Sequence, residues 1–359
     1  MNISKNTKIG ITTKDNGRLF ASGISQNVLT LFDILKKAGF DIILVSESTK
    51  IGGKKLGENE IELLTTETIG DFDIIIEVAH SLSVNGSNIF EKSGGKIIVI
   101  EYGNNFLINS ALTIYKPEAP AFFRARHHET WISPHFEHSR EALRTMRKTN
   151  IEIAPYVWQP PESLMQKDLK YDPSWNIEHV GILESNLYFV KMCHAPMLIC
   201  EDYYNKYSKG ISAYVLGGEK LKDNNGFAEF AKMLNIVTAG EMSFEGRWTL
   251  AHMLRKRMFG SIISHQFYNE LNYLQLEAMY LGIPFIHNSK SFEDHGYYYN
   301  DINIGMGAEK LKEAVSSHPD NYKEMMERDA EKIYDFSPDN KKNIDGYAQL
   351  LESFIQRHF

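Results

Sequence analysis

The residues best placed to do chemistry lie in one stretch. It runs Ile262-Ile263-Ser264-His265-Gln266-Phe267-Tyr268-Asn269-Glu270-Leu271-Asn272-Tyr273-Leu274-Gln275-Leu276-Glu277-Ala278 and closes on Gly282 and Pro284. An apolar run, a polar loop, a helical pattern, a Gly stop and a second apolar run predict strand, loop, helix, strand. A helix start presents backbone N–H groups at the positive end of its dipole, which suits a diphosphate. That expectation falls on Leu271 and Asn272. Glu277, one or two turns further in, can accept both hydroxyls of a ribose with its two carboxylate oxygens.

Other candidates are more dispersed. Glu77, His80 and Glu101 follow or end apolar runs, where any of them could deprotonate a hydroxyl as a general base. Gly17-Arg18 and Ser22-Gly23 form a polar loop able to approach a phosphate or an acceptor, without the glycine spacing of a dinucleotide fingerprint. Residues 122–148 hold Arg124, Arg126, Arg140, Arg144, Arg147 and Lys148 against Glu129, Glu137 and Glu141, with His127 among four histidines and with Phe122, Phe123, Trp131 and Phe136 interleaved. Such a mixture can hold a phosphate backbone and stack an extruded base, or stack sugar rings, or be a solvated helix beside a core. Asp71-Phe72-Asp73 has the spacing of a metal-binding pair, but an apolar run follows it, so a strand start is expected and no obligatory metal. Cys193 and Cys200 are too few for a disulfide framework and read as buried thiols.

The elements that must position these groups are legible from periodicity. Lys8–Thr12, Asp41–Val45, Phe72–Val78 and Lys96–Glu101 read as strands, with a helix over Ile24–Lys37 stopped at Gly39. A proline-marked region (Pro155, Pro160, Pro161, Pro173) reads as a linker, and the boundary is expected near Tyr171–Ile177. The pattern then restarts: strands at Glu178–Ile182, Ser212–Leu216, Ile236–Ala239, Gly260–Ser264 and Ile283–Ile286. Helices are expected over Leu187–Glu201, Phe227–Leu234, Trp248–Arg257 and Asn272–Tyr280. Alternation of this kind implies parallel α/β sheets, which bind ligands beyond the carboxyl ends of their strands. The expected domains are 1–174, 175–335 and a C-terminal helix in 336–359.

The stretch ending in Glu277-Ala278-Met279, Gly282 and Pro284 resembles the donor segment of GT-B glycosyltransferases, in which a Glu precedes a second Glu by eight positions. The first Glu falls on Asn269, a departure, because in retaining members that carboxylate contacts the donor sugar. Val180-Gly181-Ile182-Leu183, Tyr214-Val215-Leu216-Gly217-Gly218 and Ile236-Val237-Thr238-Ala239-Gly240-Glu241 match further elements in order. The resemblance covers most of residues 178–315. It is closest to an uncharacterised bacterial and phage family, at Glu184-Ser185-Asn186, Lys191, His265-Gln266, Asn272-Tyr273 and Gly296-Tyr297-Tyr298-Tyr299.

The resemblance implies an α/β GT-B fold, two Rossmann-like domains facing a cleft. Its donor-site residues would be Gly181, Glu184, Asn186, Lys191, Gly240, Glu241, His265, Gln266, Asn269, Leu271, Asn272 and Glu277. The family's usual Arg and Lys for the diphosphate are out of register, leaving Lys191, Arg247, Arg255 and Arg257 as candidates. A UDP- or other NDP-sugar is the expected co-substrate, with no obligatory cofactor. The acceptor side would use Arg18, Arg124, Arg126 and His127, and the acceptor itself could be hydroxymethylcytosine in DNA. A surface glycan, a non-catalytic sugar-binding module and a sugar-phosphate epimerase are the competing readings. With 359 residues, 43% hydrophobic content and net charge −7, two domains are expected and no global attraction to nucleic acid. The N-terminus lacks a signal-peptide core and no run reaches the roughly 20 apolar residues of a membrane span, so a cytoplasmic protein is expected.

Overall fold

The computed structural model describes residues 7–13, 23–78, 80–115 and 127–359. Contacts divide the chain into one unit of residues 1–159 and 334–359 and a second of 160–333. The division falls upstream of the expected boundary, at the first residues of the proline-marked region.

In the first unit, β1 (Lys8–Thr12), α1 (Gly23–Lys37), β2 (Asp41–Ser46), β3 (Lys55–Leu56), β4 (Asn59–Leu63), β5 (Ile74–Glu77) and α2 (Val84–Lys92) come first. They lead to β6 (Lys96–Glu101), α3 (Asn105–Tyr115), β7 (Glu129–Ile132), α4 (Arg140–Arg147) and β8 (Asn150–Ile153). The sheet order is β3-β4-β2-β1-β5-β6-β7-β8, parallel except for β3. In α1, Val28, Leu31, Phe32 and Leu35 are buried at the spacing of one helical face. Gly39 stops the helix with φ 92°, a left-handed conformation that costs glycine little.

The second unit holds β9 (His179–Ile182), α5 (His194–Lys206), β10 (Ser212–Leu216), α6 (Asn225–Lys232), α7 (Asn235–Thr238), β11 (Met242–Glu245), α8 (Leu250–Arg255) and β12 (Ser261–Ser264). It continues through α9 (Tyr273–Leu281), β13 (Phe285–His287), β14 (Tyr297–Tyr298) and most of α10 (Ile304–Asp335). The sheet order is β11-β10-β9-β12-β13-β14, all parallel. Its core joins Val180, Ile182, Val215 and Ile262 to Met197, Cys200, Leu254 and Leu311. Both cysteines are free and buried, as expected.

The last helix, α11 (Lys341–His358), belongs to the first unit. It places Tyr347, Leu351 and Phe354 in the same core as Ile9, Ile74 and Trp131.

Two element expectations are corrected. Ile236-Val237-Thr238 is not a strand but the turn of helix α7, ended by Gly240 at φ 82°. The strand begins two residues later. A short apolar run does not separate the two states by periodicity. The helix expected from Leu187 starts instead at His194, which puts Pro196 in its first turn, where a missing N–H costs little.

Candidate functional site

The strand order of the second unit reverses between β9 and β12. Successive strands run outward from β9 to β11 on one side and from β12 to β14 on the other. Loops leaving neighbouring strands at such a point diverge and open a crevice for a ligand. The loop after β9 carries Glu184 and Lys191, and the loop after β12 carries residues 265–272. They meet at Glu184, whose Oε1 accepts from Ser264 Oγ (2.5 Å) and from the His265 backbone N–H (3.2 Å). Glu184 is 3% exposed, and burial lifts its carboxyl to about 7. Lys191 lies within electrostatic reach of Glu184 and of Arg247. Burial pulls its ammonium down first, Glu184 opposes that, and Arg247 adds to it. Lys191 thus has a carboxylate and a guanidinium among its charged neighbours.

The 265–270 loop is rigidly held. Asn288 Oδ1 accepts from the Gln266 backbone N–H (2.9 Å) while its Nδ2 donates to the Gln266 carbonyl (3.0 Å). Ser289 Oγ donates to the Glu270 carbonyl. His265 Nδ1 meets the Tyr299 hydroxyl at 2.8 Å, and burial holds the imidazole neutral, down to about 4. Its Nε2 is buried with no hydrogen-bond partner. Asn269 Nδ2 donates to Gln266 Oε1, and Gln266 Nε2 donates to Ser264 Oγ (3.4 Å).

Helix α9 begins differently from expectation. Asn272 is its N-cap, accepting from the Leu274 N–H, while Gln275 reaches back to the Asn272 N–H (3.0 Å). This capping box consumes donors that the sequence reading had offered to a diphosphate. Leu271 is buried in packing. The basic side chains near Glu184 are Lys191 and, within its electrostatic reach, Arg247. Glu277, in the second turn, is partly buried and has no hydrogen bond or ion pair to any described residue. Burial lifts its carboxyl to about 8. Gly282 ends the helix at φ 71°.

Three other donor-site expectations have structural explanations. A Cβ on Gly181 would sit 2.9 Å from the Phe259 ring, so glycine is required there by packing. Asn186, at φ 54°, closes its own loop: Oδ1 accepts from the Cys193 N–H (2.9 Å) and Nδ2 donates to the Glu184 carbonyl (3.1 Å). Gly240 and Glu241 precede β11, at the amino end of the sheet, where Glu241 Oε2 accepts from Ser212 Oγ. The structure does not bring them to Glu184 and His265. The loop at the carboxyl end of β11 is Gly246-Arg247-Trp248, and Arg247 was legible only as one of several basic candidates.

In the first unit, Glu77 is engaged at both oxygens. Oε1 accepts from the Leu82 N–H (2.8 Å), and Oε2 lies 3.0 Å from His127 Nε2. His127 Nδ1 is buried with no hydrogen-bond partner among the described residues. The sequence placed Glu77 and His127 in separate roles, and the structure makes them a pair. Glu101 is paired with Arg147, itself bonded to Thr130 Oγ1 (3.2 Å), and burial raises the Glu101 carboxyl. His80 is partly buried beyond the end of β5.

The basic aromatic segment is also corrected. Trp131 and Phe136 are core residues, Arg147 is buried in its ion pair, and Arg140 and Arg144 face Glu152 and Glu141. Arg18, Arg124 and Arg126, with Gly17, Ser22, Phe122 and Phe123, lie outside the described residues. Asp73 Oδ2 accepts from the Lys8 N–H (2.8 Å), as befits a strand start. Among the described residues no helix is long and apolar enough to cross a membrane.

Comparison with known proteins follows this geometry. Residues 9–351 match the family described as "Protein of unknown function (DUF2827)". The chain belongs to the DUF2827 family. No curated protein matches this DUF2827 chain. Among solved structures it is similar to Anabaena HepE in complex with UDP and glucose, at TM-score 0.59 and 12% identity, covering 97% of this chain and all of HepE. It is similar to a glycosyltransferase from Rickettsia africae at TM-score 0.58 and 14% identity, covering 96% and 99%. Sucrose-phosphate synthase from Thermosynechococcus elongatus gives TM-score 0.56 and 9% identity, covering 98% and 100%. At these identities the likeness establishes the fold: this DUF2827 protein has the GT-B architecture of two parallel-sheet domains.

Proposed function

We propose that this chain is a glycosyltransferase whose second unit binds a nucleotide-sugar at the β9/β12 switch point. The observation that carries the reading is Glu277. A partly buried carboxyl with no hydrogen bond or ion pair to any described residue is costly unless a ligand satisfies it. The two hydroxyls of a ribose do so, with the diphosphate reaching Lys191 and Arg247. Neighbours of the same fold were solved with UDP and with UDP-glucose, which supports a nucleotide-sugar as the co-substrate.

In the transfer, the acceptor's hydroxyl oxygen bonds to the anomeric carbon, and the bond from that carbon to the diphosphate oxygen breaks. Lys191 and Arg247 stabilise the charge that develops on the departing diphosphate. The hydroxyl proton passes to a base. The acceptor is a hydroxyl compound. A mass-gain screen with UDP-, GDP- and ADP-sugars over hydroxymethylcytosine DNA and glycan acceptors identifies it. Absence of transfer, together with absence of nucleotide binding, defeats the proposal.

A further inference from the structure

Large apolar side chains are exposed at scattered positions, but three of them are consecutive. Leu187, Tyr188 and Phe189 are 65%, 42% and 39% exposed, the one such run of three among the described residues. They form the tip of the loop that leaves β9, and the tip is held from both sides. The Asn186 N–H donates to the Lys191 carbonyl (3.0 Å), and the Lys191 N–H donates to the Tyr188 carbonyl (3.0 Å). The Phe267 N–H donates to the Val190 carbonyl (3.0 Å), which fastens the tip to the loop after β12. The residue after Phe267 is Tyr268, 64% exposed and at φ 50°, a conformation that a tyrosine rarely adopts. Two bonded loops therefore display Tyr188, Phe189 and Tyr268 at the carboxyl end of the sheet. The donor-site groups Glu184 and His265 lie inside, 3% and 1% exposed, so these rings are rim rather than floor. Apolar surface held in water is unfavourable until something covers it, and a tip already ordered loses little entropy on binding.

We propose that this rim is a stacking platform for the sugar rings of a saccharide acceptor. The proposal rests on the transferase reading above and narrows its acceptor. A sugar ring has an apolar C–H face that covers an aromatic ring, and a polar edge that the Tyr188 and Tyr268 hydroxyls can meet. Charge decides against the other occupants. Residues 185–190 and 267–270 include no lysine or arginine and one carboxylate, that of the exposed Glu270. Lys191, next along the chain, is partly buried with Glu184 as its anionic neighbour. A nucleic acid is held through its phosphates by several cations, and an anionic membrane is held by a basic cluster. This rim supplies neither. Its four apolar side chains, exposing on the order of 100 Å² each, also fall short of the roughly 800 Å² per partner of a stable protein interface.

Calorimetry tests the platform with maltohexaose, cellohexaose, laminarihexaose and chitohexaose as neutral probes, with and without UDP, GDP or ADP. The wild type binds at least one of the saccharides. Tyr188→Ala, Phe189→Ala and Tyr268→Ala each weaken that binding roughly three- to tenfold, the worth of one aromatic stack. Tyr188→Phe keeps the ring and most of the affinity. Because the replaced side chains are exposed, melting temperature and nucleoside diphosphate affinity stay at their wild-type values. Binding of no saccharide probe, or saccharide binding unchanged in all three alanine variants, overturns the platform, and nucleoside diphosphate binding in the same titrations leaves the donor reading standing. Ring-dependent binding of hydroxymethylcytosine DNA or of phosphatidylglycerol vesicles in place of saccharide overturns the saccharide assignment. Ring-dependent saccharide binding without any nucleotide binding keeps the rim as a saccharide site and defeats the donor reading alone.

Discussion

Ser264 Oγ donates to Glu184 Oε1 across 2.5 Å, joining the carboxyl end of β12 to that of its neighbour β9. The two loops that frame the switch point are therefore one hydrogen-bonded body. Lys191, Arg247 and Glu277 belong to the same unit.

Arg247 disfavours the charge on Lys191, and Glu184 favours it. An added diphosphate relieves that repulsion. Lys191→Gln and Arg247→Gln each weaken binding of the preferred nucleoside diphosphate by about tenfold or more, and leave binding of the bare nucleoside unchanged. Calorimetry at two ionic strengths checks it, with a weaker salt dependence in both variants. Equal losses for nucleoside and nucleoside diphosphate would remove the phosphate assignment.

Burial lifts the Glu277 carboxyl to about 8 from 4.5, so the empty fold favours its protonated form. Ribose hydroxyls donate to the ionised form, so binding releases a proton below pH 8. Nucleotide affinity then rises between pH 6 and 8 and levels off above. The stability of the empty protein changes in the opposite sense: it falls as pH rises toward 8, because the unfolded chain ionises this group freely. Glu277→Gln removes the pH dependence of binding and flattens the stability decline. Affinity independent of pH in the wild type would count against the ribose contact.

Glu101 and Arg147 are 2% and 7% exposed at their side chains and are paired with each other. Arg147→Ala leaves a buried carboxylate alone and lowers unfolding free energy by about 3–5 kcal/mol. Urea denaturation measures it. A loss below about 1 kcal/mol, the size expected of a surface pair, would return Arg147 to the exposed basic patch that the sequence suggested.

Glu77 and His127 are a buried pair, 3.0 Å apart. His127→Ala leaves the Glu77 carboxyl buried without that partner and lowers unfolding free energy by about 1–3 kcal/mol. Urea denaturation measures it, and an unchanged midpoint would show that the pair adds nothing to the fold's stability.

The sequence shows the alternation of strands and helices plainly, since buried parallel strands such as Ile74-Ile75-Ile76 have no solvent face to blur them. It also shows Glu277, because a helix after a polar loop has a readable period. It could not show that Asn272 and Gln275 cap each other, or that Asn186 folds back on its own loop, since both depend on side-chain direction in three dimensions. Gly240 and Glu241 were misplaced because a run of Ile, Val and Thr formed a helical turn and shifted the next strand by a few residues. That moved them to the opposite end of the sheet. Arg147 and Trp131 could be read as part of a nucleic-acid patch, a sugar platform or a helix beside a core, because charge and aromaticity in a sequence carry no record of burial.

Nucleotide binding at Glu277 is tested most directly by titrating UDP, GDP and ADP into the wild-type chain and into Glu277→Ala. One of the three binds the wild type, and Glu277→Ala weakens it at least about tenfold without lowering the melting temperature, since the variant removes a partly buried carboxyl that no described residue pairs. Equal affinity in the two proteins, or no binding to the wild type, contradicts the donor site.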